Sequence, residues 1–94
     1  MTIFSMSSIL PTNIQKFGLK LRMLRCQRHL TLKELATVLG YTSHGYISEL
    51  EAGKKTPTVE FTVNASRFFD VTTDQLLKDE VALPEILEQE ETTI

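Results

Sequence analysis

Residues 30–57, LTLKELATVLGYTSHGYISELEAGKKTP, are the stretch on which the fold turns. Thr31 and Glu34 stand three apart at its head, the spacing of a capping box, in which each side chain accepts the other's backbone N–H. Leu30 and Leu35 flank the box as a hydrophobic staple. Leu32, Leu35, Ala36 and Leu39 then share one helical face. Gly40 supplies the left-handed residue at which such a helix stops. The pattern predicts a short helix from Leu32 to Leu39. Beyond the turn Tyr41-Thr42-Ser43-His44, either Thr42 or Ser43 can cap a second short helix, Ser43 to Ala52. Its Ile47 and Leu50 face inward, and Gly53 ends it.

The same punctuation extends outward. Upstream, Thr12 and Gln15 fit a capping box, and Ile14, Phe17, Leu21 and Leu24 recur at helical spacing, which predicts a helix from Asn13 to Arg28. Downstream, the basic loop Lys54-Lys55-Thr56 leads through Pro57 and Thr58 into a helix over Val59–Phe69. Thr72 and Gln75 form another box, stapled by Val71 and Leu76, with Asp74 complementing the helix dipole of a segment Thr73–Lys78. No strand alternation of useful length occurs. The fold class expected is all-α, a compact bundle of about five short helices with a central helix-turn-helix.

The domain is placed at residues 13–79. Residues 1–12 form an arm with Ile3, Phe4, Met6, Ile9 and Leu10 but without the basic flank of a signal peptide. The arm is expected to pack on the domain or on a second subunit. Residues 80–94 read as an acidic, flexible tail broken by Pro84, with Leu83, Ile86 and Leu87 able to make one amphipathic turn.

Composition narrows the function classes. The chain has 94 residues and one cysteine, Cys26, so an intrachain disulfide is excluded and a reducing cytoplasm is the expected location. No apolar run reaches the roughly 18 residues of a membrane span. The two histidines, His29 and His44, show no metal-ligand spacing with Cys26, and no nucleophile–base pair or phosphate-cradling loop is visible, so neither enzyme, metal nor cofactor is expected. The formal net charge is -2, but residues 79–94 hold Asp79, Glu80, Glu85, Glu88, Glu90 and Glu91 and no basic residue. The remaining 78 positions carry ten basic against six acidic side chains, a surplus of four that permits phosphate contact.

Two short helices joined by a glycine-containing turn make a helix-turn-helix, in which the first helix crosses the DNA backbone and the second enters the major groove. At this point the sequence resembles the lambda-repressor/Cro-type (XRE-like) helix-turn-helix family. The residues that carry the likeness are LRMLRCQRHLTLKELATVLG, YISELEAGKKTP and VTTDQLL, and it spans Phe17 to Leu77. The resemblance implies phosphate contacts from Thr31, Lys33, Lys54, Lys55 and Thr56, against the plainer reading of caps and a solvated basic surface. It also places Arg25 opposite Glu51 as a structural ion pair.

If Ile47 and Leu50 face the core, the opposite face carries His44, Gly45, Ser48 and Glu49. Ala52 stands at its far end, family alignment picks the same face, and Ser43 and Tyr46 are added as base-reading candidates. His44 can donate to guanine, Ser48 can bond either way, and Glu49 can accept from cytosine N4 but is repelled by phosphate. The turn is one residue longer than the family spacing. Tyr41 and Tyr46 therefore either carry contacts made elsewhere by glutamine or pack at the junction of the two helices. Leu32 stands where the family often has a polar phosphate contact, and Asp70 where it often has glycine.

The resemblance implies a sequence-specific DNA-binding regulator, a repressor that binds double-stranded DNA as a homodimer. Phe61, Phe68, Leu76 and Leu77 are the residues expected to supply the dimer contact, unless the small core uses them all. The alternative is an antitoxin or adaptor-like module that grips a protein partner through the acidic tail.

Overall fold

The computed structural model describes residues 14–84. Five helices follow one another: α1 (Phe17–Gln27), α2 (Leu32–Val38), α3 (Gly45–Glu51), α4 (Val59–Phe69) and α5 (Thr73–Leu77). No strand occurs among the described residues. The arm expected at 1–12, the Thr12 side of the first capping box, and the tail beyond Pro84 lie outside them.

Helix starts follow the capping chemistry. Thr31 Oγ1 accepts the Glu34 N–H at 3.0 Å while Glu34 Oε1 accepts the Thr31 N–H at 2.8 Å. Thr72 and Gln75 repeat this at 2.9 Å in both directions. Thr58 Oγ1 accepts the Phe61 N–H at 3.0 Å and so starts α4. Each bond satisfies a backbone donor that the helix itself leaves without a partner.

Four of the five helices stop by one device. After α1, α2 and α3 the chain enters the left-handed region at His29 (φ 57), Gly40 (φ 87) and Gly53 (φ 77), and after α4 at Asp70 (φ 57). The next residue then bonds back across the last turn: Leu30 to the Arg25 carbonyl, Tyr41 to Ala36, Lys54 to Glu49 and Val71 to Ser66, at 2.8–3.1 Å. These are Schellman-type closures. Gly40 and Gly53 adopt that conformation without steric cost, whereas His29 and Asp70 carry a Cβ into it.

The core gathers Phe17, Leu21 and Leu24 from α1, Leu35 and Ala36 from α2, and Ile47 and Leu50 from α3. Phe61, Ala65 and Phe69 of α4, with Val71 and Leu76, close it. This corrects two of the dimer candidates. Phe61 and Leu76 have no exposed surface at all, because a domain this small needs both faces of its last helices for its own interior. Phe68 and Leu77 remain half-buried. Arg28 lies over the Phe68 ring, 5.3 Å from its centroid. The large apolar side chains that do face outward are Leu19, Met23, Val38 and Val59.

α1 starts four residues later than its apolar spacing suggested. Residues 14–16 form a turn, and Asp79 supplies the N-terminal acceptor. Lys20 lies buried on the same side. Its Nζ donates to the carbonyls of Gln75, Lys78 and Val81 at 2.6–2.8 Å, and Leu83 packs against the core. A domain boundary at residue 80 cuts through these contacts.

Candidate nucleic-acid interface

α2 and α3 meet through Leu35, Ala36, Ile47 and Leu50, each at most 2 % exposed. Backbone geometry fixes the other side of α3. A Cβ on Gly18 of α1 would overlap the Leu50 carbonyl oxygen and lie 2.7 Å from that of Glu51. α1 and the end of α3 therefore approach as closely as two backbones allow, with room for hydrogen alone.

Arg25 holds the same crossing from its side chain. Its Nε donates to Glu51 Oε2 at 2.7 Å and its Nη2 to Oε1 at 2.9 Å, while Nη1 donates to the Leu30 carbonyl at 2.9 Å. The side chains are 13 % and 8 % exposed. The forked bond to Glu51 raises the Arg25 pKa above its ordinary value, against the opposing effect of burial. Arg25 thus joins α1, the loop before α2, and the end of α3, with each of its three nitrogens bonded within the protein.

α3 begins at Gly45, two residues after the start that its capping residues suggested. Ser43 Oγ accepts the Gly45 N–H at 3.1 Å, which forms a local turn in place of a helix cap. His44 occupies the cap position without a side-chain capping bond. His44, Gly45 and Ser48 are exposed, so they, with half-buried Glu49, make the outward face of α3.

Tyr46, expected among the base readers, is held by the scaffold. Its ring stacks on Tyr41 at 5.5 Å and meets Phe61 edge-on at 5.5 Å. Its Oη accepts the Thr58 N–H at 3.2 Å. The stack sets Tyr41, in the turn, alongside the first turn of α3. Burial, first, and then Tyr46 and Glu60 raise the Tyr41 phenol above its ordinary pKa.

The basic candidates flank this face. Lys33 lines a cleft of about 310 Å³ together with Thr37, Tyr41, Ser43 and His44. Thr31 is exposed at the head of α2, and its hydroxyl accepts in the capping box, which leaves its proton free to donate outward. Lys54, Lys55 and Thr56 are exposed in the loop between α3 and α4. Lys55 lies 3.1 Å from Glu49 Oε1, an exposed pair that partly neutralises the one carboxylate on the reading face. Lys54 makes no ion pair among the described residues.

Three scaffold residues escaped the sequence pattern. Gly18 interrupts a helix in which alanine would be preferred by about 1 kcal/mol, a signal of close approach. Lys20 shares a helical face with Phe17, Leu21 and Leu24, where a charged group demands a partner. Asp79 gave no signal, since its partners, Gln15 and Lys16, lie more than sixty positions away.

Residues 21–76 match the family model described as helix-turn-helix. The chain belongs to the helix-turn-helix family. Among curated proteins it is similar to the HTH-type transcriptional activator BcrR of Enterococcus faecalis, 43% identical over 65 residues. That match covers 69% of this chain but 31% of the relative, so the chain spans about a third of the length of the curated protein it matches. Among solved structures, this helix-turn-helix chain is similar to the restriction-modification controller protein C.AhdI from Aeromonas hydrophila. The TM-score is 0.60 at 25% identity, over 67% of this chain and 94% of that one. It is also similar to the clp gene regulator ClgR from Corynebacterium glutamicum, with a TM-score of 0.59 at 31% identity, over 66% of this chain and 65% of that one. No helix among the described residues is long and apolar enough to cross a membrane.

Proposed function

We propose that this chain is a sequence-specific transcriptional regulator that inserts α3 into the major groove of double-stranded DNA. The observation that carries the reading is the asymmetry of α3. Its inner face is pinned by Gly18, Arg25, Ile47 and Leu50, while its outer face exposes His44, Gly45 and Ser48, and the His44 and Ser48 side chains make no hydrogen bond among the described residues. Lys33 before that face, and Lys54, Lys55 and Thr56 after it, stand where phosphates flank a groove-bound helix. The family membership and the regulatory names of its relatives support the same reading.

The roles divide by chemistry. Thr31, Lys33, Lys54, Lys55 and Thr56 position the domain on the backbone, and His44, Ser48 and Glu49 read base edges, with Gly45 allowing close backbone approach. The domain acts in the cytoplasm as a homodimer, since two recognition helices about one helical turn apart multiply a weak single contact. Phe68 and Leu77, with the outward Leu19 and Met23, are among the apolar side chains available for that pairing. Occupation of a promoter by such a dimer represses by exclusion.

Titration of fluorescent random duplex DNA across salt concentrations tests the reading. The wild-type chain should lose affinity with a clear negative slope of log K against log salt, and Lys54→Ala should make that slope shallower by about 0.9 for each bound protomer. Absence of binding at low salt would overturn the reading. Light scattering that shows a monomer at micromolar concentration would reject the homodimer.

A further inference from the structure

Tyr41 and Tyr46 stand on either side of the turn that sets α3 against α2. Their rings stack with centroids 5.5 Å apart and planes 18° from parallel. Both meet Phe61 edge-on, at 5.7 and 5.5 Å, and Phe61 in turn meets Phe17 edge-on at 6.3 Å. The Tyr46 hydroxyl reaches the Thr58 N–H at the start of α4. Four rings and one hydrogen bond therefore connect α1, the turn after α2, the first turn of α3 and the start of α4.

The first turn of α3 has few other anchors. Among the described residues the Ser43 side chain bonds only to Gly45, two residues away. His44 is exposed and caps nothing with its side chain, and Gly45 has no side chain to pack. Ile47, within the same turn, and Leu50, one turn on, seat the inner face of the helix in the core, while the side facing the turn after α2 and α4 is met by the rings. A helix of seven residues is about 10 Å long, so a tilt of roughly 10° about its centre moves its ends by about 1 Å. At a base edge that distance separates a hydrogen bond from none.

We propose that the Tyr41–Tyr46 stack is a specificity-determining element that touches no base and sets the angle at which α3 presents His44, Ser48 and Glu49. The proposal rests on the DNA-binding reading given above. The bond from Tyr46 to Thr58 extends the same control to the loop of Lys54, Lys55 and Thr56, which ends there. One group of rings thus keeps the base-facing helix and the phosphate-facing loop in register.

A duplex selected from random DNA by the wild-type chain, and a scrambled version of it, provide the test. Affinities for both are measured at one salt concentration for the wild type, Tyr41→Phe, Tyr41→Leu and Tyr46→Leu. Circular dichroism at the assay temperature establishes which variants are folded, and the two leucine positions guard against the failure of either. Tyr41→Phe keeps the stack and should hold the ratio of the two affinities. Both leucine variants should lower that ratio by about tenfold, the loss brought by one misread base pair. Affinity for the scrambled duplex stays nearly constant in Tyr41→Leu and falls modestly in Tyr46→Leu, which also loses the bond to Thr58. An unchanged ratio in a folded leucine variant, or a proportional loss on both duplexes, overturns the proposal. A wild type that binds neither duplex overturns the DNA-binding reading itself, and the proposal with it.

Discussion

Asp79 accepts the backbone N–H of Lys16 at 2.7 Å, and its second oxygen accepts that of Gln15 at 3.2 Å, so the chain that follows the last helix caps the first. Lys20 fastens the same segment through the carbonyls of Gln75, Lys78 and Val81. The acidic run therefore divides, with Asp79 belonging to the scaffold and Glu85 onward outside the described residues. Asp79→Ala should lower stability by about 0.5–2 kcal/mol, the usual effect of losing an N-terminal cap. Removal of residues 85–94 should leave the urea midpoint unchanged and tighten binding to random duplex DNA, because four carboxylates leave with them. A large fall in midpoint for that truncation would contradict this division.

Gly18→Ala is expected to be among the most damaging small substitutions in the domain. The added methyl meets the Leu50 and Glu51 carbonyls, which are backbone and cannot swing aside. Overpacking of this kind costs about 1–3 kcal/mol. Because the strain falls on the end of α3, DNA affinity measured well below the thermal midpoint should fall as well. A variant with native stability and native affinity would show that the two helices lie further apart.

Arg25→Ala should reduce stability by about 3 kcal/mol, far beyond the ~0–1 kcal/mol of a surface pair, because it leaves the Glu51 carboxylate buried without its partner. The loss should persist at high salt, where exposed pairs are screened. A double-mutant cycle with Glu51→Ala measures the coupling. An unchanged unfolding midpoint in Arg25→Ala would remove this pair from the account of how α1 and α3 are joined.

His29 and Asp70 occupy left-handed positions that glycine takes after α2 and α3. Neither side chain gives its backbone a capping bond among the described residues. His29→Gly and Asp70→Gly should each raise stability by about 0.5–1 kcal/mol, visible as a higher thermal midpoint. A fall in midpoint for both would mean that side-chain interactions outweigh the backbone strain.

Most of the scaffold was legible because it is built from local rules. Thr31 with Glu34, Thr72 with Gln75, and Gly40 and Gly53 act within six residues of themselves, and sequence spacing reports such geometry directly. The start of α1 was misplaced because its acceptor, Asp79, comes from the far end of the domain. Phe61 and Leu76 were ambiguous for a related reason, since periodicity marks an apolar face without saying whether the chain itself or a partner covers it. On α3 the exposed face was legible, but the place of Tyr46 was not. Whether that ring turns outward or stacks inward depends on Tyr41 across the turn and on Phe61 from α4, and no spacing within the helix encodes either.

The central claim, that the outer face of α3 is the surface that meets DNA, is tested most directly by amide chemical-shift mapping during titration with a selected duplex. The account predicts that the largest shifts cluster at residues 43–49, at the head of α2 around Thr31–Lys33, and in the loop 53–56. Shifts confined to α1 or α5, with residues 43–49 unmoved at saturation, would contradict it.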